Sequence, residues 1–132
     1  MAKYTTVSIS QELLKAIFEG ARRLHPKETI MLLRGEKRKD TIIAKDLVVP
    51  PLANYGPGFA DIPLQMLPMD FSIIGTVHSH PSGSLTPSNA DLNHFFGIVM
   101  IIVGYPYADE GDVASYNRNG DKLVLKVMEA KS

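Results

Sequence analysis

The sequence predicts an α/β fold, a mixed and mainly antiparallel β-sheet flanked by helices, and three observations carry that expectation. An amphipathic helical stripe near the start needs a flat surface to lie on. Two β-rich stretches fold back on themselves at charged or glycine-containing turns. A continuous apolar run, "GIVMIIVG", is too short to span a membrane and suits a central strand buried on both faces.

Taken in order, "TTVSI" alternates as a short strand, and Ser10 stands where an N-cap belongs before "QELLKAIFEGARRLH". Leu13, Leu14, Ile17, Phe18, Ala21 and Leu24 recur at helical spacing and form one apolar stripe. His25 and Pro26 close this helix, because a residue before proline is pushed out of the α region. His25 itself reads as a helix-end cation. "ETIMLLRG" and "DTIIAKDLVVP" form an antiparallel hairpin across the solvated stretch "EKRKD". Pro50 to Pro63 carries four prolines and two glycines and reads as a surface loop inside one domain. "MDFSIIGTVHSH" is a strand ending in two histidines, "PSGSLTP" a loop of turn formers, and Ser88 the cap of a helix "SNADLNHFF". After the buried run, "DVASYNRNGDKLVLKVME" is a hairpin turning at "NRNGD", with Asn119 and Gly120 suited to positive φ. The order β, α, ββ, β, α, βββ is expected, without internal repeats.

The 132 residues fit one domain, residues 1–132, with a single core. Hydrophobic residues at 45% and charged ones at 21% place it among globular chains, and no stretch approaches the ~20 apolar residues of a membrane span. "MAKYTTVSIS" has no secretory pattern, so a soluble cytoplasmic protein is expected. Lys plus Arg (14) balances Asp plus Glu (14), which leaves no net field to collect nucleic acid or anionic membrane. Cysteine is absent, excluding disulfides, thiolate zinc sites and a cysteine nucleophile. Any hydrolysis falls to serine, carboxylate or metal.

"HSHPSGSLTPSNAD" concentrates the chemistry. Alternate strand residues share a face, so His78 and His80 project together while Ser79 turns away. Asp91 lies in the first turn of the next helix, and the loop between is long enough to bring that turn back over the strand end. Two imidazoles and a carboxylate with a fourth position for water form a common catalytic zinc set, one that iron, cobalt or nickel also fits. The same residues admit plainer readings: strand-end histidines in solvent, and Ser88 with Asp91 as a helix-capping pair. Glu28, at the start of an otherwise apolar strand, is the candidate base. A solvated strand-start acid is the alternative.

These residues resemble the JAMM metalloprotease motif of the MPN domain family: a Glu upstream, then His, a small residue, His, seven residues, Ser, two residues, Asp. Glu28, His78, Ser79, His80, Ser88 and Asp91 match it. With the strand order, the resemblance covers nearly the whole chain. Met31 departs from the pattern, standing where many members carry Gly. The resemblance implies a cytidine-deaminase-like sheet and zinc (Zn2+) bound by His78, His80 and Asp91. It further implies Glu28 as general base and Ser88 as a donor to water or oxyanion.

Members of the family typically cleave after the C-terminal Gly-Gly of ubiquitin or ubiquitin-like proteins. Minimal prokaryotic, especially archaeal, members act on small ubiquitin-like modifiers that double as sulfur carriers. Such modifiers and their conjugates are the expected partners, with an extended tail adding as a strand to a sheet edge. The Asn54 to Pro63 segment is expected to form part of the tail's channel, with Gly56 and Gly58 permitting movement. His94, three residues after Asp91, is a candidate supporting residue; domains of the family often pair, which makes a homodimer one candidate state, but no residue here identifies such a surface. Within this reading, trimming the tail of a sulfur-carrier protein and removing a conjugate from a lysine stay open alternatives, and two rivals of other kinds stand beside it. One is a catalytically silent MPN scaffold module, against which the complete ligand set argues. The other is a DNA-associated protein like the RadC family, against which Ser79, the short chain and the zero net charge argue.

Overall fold

A computed structural model describes residues 4–48, 54–56, 59–61 and 72–129. Its elements run β1 (Thr6–Ser10), α1 (Gln11–Leu24), β2 (Ile30–Arg38), β3 (Thr41–Val48), β4 (Asn54–Gly56) and β5 (Phe59–Asp61). They continue with β6 (Ile73–His80), α2 (Asn89–Asn93), β7 (Val99–Gly104), β8 (Val113–Tyr116) and β9 (Lys122–Met128). The expected order holds, with β4 and β5 added as a small antiparallel pair. The remainder of the segment expected as a surface loop and channel wall lies outside the described residues.

The large sheet is mixed, as its sequence predicts, and it closes on itself in the order β1-β3-β2-β6-β7-β8-β9. Closure comes from β1, which runs parallel to both β3 and β9. β6 and β7 are the other parallel pair, while β2/β3, β2/β6, β7/β8 and β8/β9 are antiparallel.

The main core lies between the sheet and α1. Ser10 caps α1, its hydroxyl accepting the Leu13 N–H at 3.1 Å. Leu13, Leu14, Ile17, Phe18 and Ala21 then bury against Val7, Ile9, Leu33, Ile42, Val77, Ile101 and Val103. Each large side chain buried this way contributes about 1.5–3 kcal/mol. Leu24 departs from the expected stripe: the helix ends at this residue, and its side chain is 36% exposed. The charged stretch is less of a loop than expected. β2 runs through Glu36 to Arg38, so the hairpin reverses at Lys39 and Asp40, with Lys39 at φ 57°. At the last hairpin only Gly120 takes positive φ, at 85°; Asn119 does not, and its N–H is held by the Asn117 side chain at 2.9 Å.

Met31 packs into the main core at 5% exposure, and α1 passes over it at Gly20. The helix thus accommodates a large residue in a strand position where the resembled family often has none.

A second, smaller core sits elsewhere on the sheet. Phe95, Met100, Ile102, Ala114 and Tyr116 form it, with Leu85 and Leu92 packed against them. It anchors α2 and the loop before it, which carry Ser88 and Asp91. No helix among the described residues is long and apolar enough to cross a membrane.

Candidate metal and catalytic site

The site forms where β6 ends beside β7. Register places His78 opposite Ile102 and His80 opposite Gly104 on β7, while Ile30 on β2 faces His78 from the other side. The last carbonyl of β6, that of His80, accepts two N–H groups: Gly83 at 3.0 Å and Tyr105 at 3.2 Å. The chain reverses there through Gly83 at φ 87°. Its loop lies so close to β7 that a Cβ on Gly104 would stand 2.7 Å from the Gly83 carbonyl oxygen. Tyr116 pins the far end of the loop, its hydroxyl donating to the Leu85 carbonyl at 2.5 Å. A loop so held delivers α2 to a fixed place.

At α2, Ser88 and Asp91 form a reciprocal capping box. The Ser88 hydroxyl accepts the Asp91 N–H at 3.0 Å, and Asp91 Oδ2 accepts the Ser88 N–H at 2.8 Å. The capping reading is realised, and the box also turns the Asp91 carboxylate toward the two histidines. Oδ1 lies 3.3 Å from His78 Nδ1 and Oδ2 lies 3.1 Å from His80 Nε2. Both histidines are buried, at 7% and 8% exposure, so these are not the solvated strand-end residues of the plainer reading.

The proton inventory at His80 is informative. A carbonyl oxygen only accepts, so Nδ1 donates to the Ser84 carbonyl at 2.9 Å. Nε2 then faces a carboxylate oxygen, also an acceptor, and that contact requires either a second proton or a cation between the two atoms. His78 Nε2 is within 3.1 Å of the Thr76 hydroxyl, leaving Nδ1 for Asp91. Among the described residues no three such side chains are already spaced for coordination; His78, His80 and Asp91 instead close directly on one another. By its chemistry a donor set of two nitrogens and a carboxylate fits zinc, and the Ser84 carbonyl is the kind of outer partner that fixes a ligating imidazole.

Electrostatics tie Glu28 to this trio. Glu28 precedes β2 and is half-buried, and burial pushes its carboxyl above the ordinary range. The charges of His80 and His78 pull it back and that of Asp91 adds to the rise. Asp91, despite its burial, is held well below the usual carboxylate range by hydrogen bonds from His78, His80 and the Ser88 backbone. Burial opposes charge on His80, but the hydrogen bond and negative charge of Asp91 outweigh it and raise its pKa.

Two histidines fall outside the trio. His94 is exposed as the C-cap of α2, its backbone N–H returning to Ala90, and nothing brings its ring to the trio. His25 is not simply a helix-end cation: it caps α1 and stacks on Tyr105 with ring centroids 4.4 Å apart. Two contributors escape sequence reasoning. The Ser84 contact uses a backbone carbonyl, which carries no sequence signal. Ser79, expected to turn away, does so onto the backbone of Thr29, accepting its N–H at 2.9 Å.

A family model described as "Prokaryotic homologs of the JAB domain" matches residues 10–119. A "Probable metalloprotease" of Haloferax volcanii is 34% identical over 131 residues, covering 94% of this chain and 81% of its own length. A JAB1/MPN domain protein from Archaeoglobus fulgidus superposes with a TM-score of 0.68 at 42% identity, over 92% of this chain and 99% of its own. A structure described as "JAMM: A Metalloprotease-like Zinc Site in the Proteasome and Signalosome" gives 0.66 at 40% identity, over 95% of this chain and 100% of its own. A solution structure from Desulfitobacterium hafniense shares the fold at 16% identity, with a TM-score of 0.70 over 94% of each chain.

Proposed function

This chain belongs to the prokaryotic homologs of the JAB domain, whose members include metal-dependent peptidases, and on that premise we propose that it is a zinc peptidase. Its substrates are ubiquitin-like modifier proteins, cut after a C-terminal Gly-Gly. The observation that carries the proposal is the meeting of His78, His80 and Asp91, with His80 Nε2 and Asp91 Oδ2 3.1 Å apart across a contact that takes either a second proton or a cation, and with the Glu28 carboxyl within their electrostatic influence.

In this reading His78, His80 and Asp91 hold the ion. Zinc, when bound, supplies Lewis-acid polarisation of the scissile carbonyl and acidifies water to a pKa near ~7. Glu28 takes the proton from the attacking water and passes it to the leaving amine. Burial supports that role, since a base with a raised pKa sits closer to the pH at which it works. Ser88 spends its oxygen lone pair on the Asp91 N–H and keeps its own hydroxyl proton to donate to the developing oxyanion. The Gly-Gly ending suits a narrow approach, because residues without side chains let the scissile carbonyl reach a recessed, half-buried base.

The test is direct. Purified protein is assayed for zinc by elemental analysis. It is then incubated with a linear fusion through the Gly-Gly end of a ubiquitin-like protein and with a lysine-linked conjugate. Stoichiometric zinc and cleavage of either supports the proposal, and the preferred substrate separates tail processing from deconjugation. Zinc without cleavage of either, or no zinc, leaves the scaffold reading.

A further inference from the structure

We propose that Ser79, the residue between the two histidines, is a positioning residue for Glu28: its hydroxyl holds the Thr29 amide and so fixes where the neighbouring carboxylate stands. This rests on the peptidase reading above.

The argument starts from the β2/β6 ladder, whose last regular pair is Ile30 with His78. One step further, the Ser79 N–H still donates to the Thr29 carbonyl at 3.0 Å. The Thr29 N–H, however, goes to the Ser79 hydroxyl at 2.9 Å. An antiparallel pair normally exchanges both bonds between backbones. Here a side chain accepts one of them, and the ladder ends at the residue after Glu28. One peptide unit connects the clamped nitrogen to the Glu28 α-carbon, so the clamp sets the direction in which the carboxylate leaves the sheet.

Burial makes the clamp hard to replace. Ser79 is 1% exposed and Thr29 2%, so water cannot take the hydroxyl's place, and removing it strands a buried amide. Tyr107, fully buried, closes the same spot. Its hydroxyl reaches toward Ser79 without closing a hydrogen bond of normal length. His78 and His80 project from the other side of the strand onto Asp91. Shortening Ser79 therefore leaves the ligands untouched while loosening the base.

The test compares Ser79→Ala and Ser79→Thr with the parent protein, using the linear Gly-Gly fusion as probe. In Ser79→Ala, kcat is expected to fall about 10²-fold, the effect of a small misplacement of a reacting group, with KM and zinc stoichiometry unchanged. Amide exchange at Thr29, followed by NMR, should quicken on the order of tenfold or more. Ser79→Thr, which keeps the hydroxyl, should restore both. If the added methyl prevents folding, the alanine variant still decides. Parental kcat in Ser79→Ala, loss of zinc together with kcat, or unchanged exchange at Thr29 would each overturn the proposal. If the parent protein cleaves only the lysine-linked conjugate, that conjugate replaces the fusion as probe; if it cleaves neither, the peptidase reading falls, and the Thr29 exchange result alone decides the clamp.

Discussion

Glu28→Gln separates chemistry from metal binding more cleanly than any other single change. The substitution keeps the shape of the side chain and removes its ability to accept a proton. General base catalysis contributes about 10²–10⁴-fold, so the barrier should rise by about 2.7–5.4 kcal/mol at 1.36 kcal/mol per decade. Stability should move the other way or stay level. The Glu28 carboxyl is half-buried and burial penalises its charge, so a neutral amide in the same place loses less to desolvation. Zinc stoichiometry should be unchanged, because His78, His80 and Asp91 keep their mutual contacts. The assay is kcat/KM on the linear Gly-Gly fusion, with elemental analysis and thermal melting on the same preparations. A variant with kcat/KM within tenfold of the parent would refute Glu28 as the base, and loss of zinc with activity would make it a ligand instead.

Two further predictions concern the fold around the site. In metal-free protein, Asp91 contributes stability above its ordinary pKa of 3.8 and loses it as pH falls through the depressed folded value. His80 contributes fully below its ordinary 6.5 and loses that stability as pH rises through the raised folded value. The melting temperature without zinc should therefore be highest between these limits and fall on the alkaline side. Zinc competes with the proton at His80, so its stabilising effect should grow as pH rises, reaching about 2.7 kcal/mol at free zinc 100-fold above Kd. Melting curves at pH 6 and 8.5 with and without zinc check this, and a metal-free protein that melts higher at pH 8.5 contradicts it. Gly20→Ala should stabilise the protein by about 0.4–1 kcal/mol. Gly20 is inside α1, and its added Cβ would meet Met31 Sδ at 3.6 Å, an ordinary contact; a lower midpoint in denaturant would show that Met31 needs the space.

The scaffold was legible in sequence wherever one local signal dominated. Ser10 and Ser88 announce their helices because a hydroxyl N-cap answers an unsatisfied N–H. "GIVMIIVG" announces a central strand because only burial on both faces tolerates such a run. The joint facing of His78 and His80 follows from strand alternation alone. Their meeting with Asp91 does not, since it depends on loop closure at Gly83 and on a neighbouring strand that has glycine at 104. Closure of the sheet through β1 is a contact between the two ends of the chain, with no local trace. Leu24 and the span of β2 show local pattern giving way to tertiary context at element ends. Ser79 illustrates a deeper gap: its type and place are plain in sequence, yet what it holds is a backbone amide fifty positions away.

The most direct test of the account is anomalous scattering at the zinc absorption edge from crystals grown with zinc. The account predicts one strong peak within about 2.0–2.2 Å of a nitrogen of His78, a nitrogen of His80 and an oxygen of Asp91, with the Glu28 carboxylate facing it across a water. No peak between these side chains at saturating zinc, or a peak bound by other residues, would contradict it.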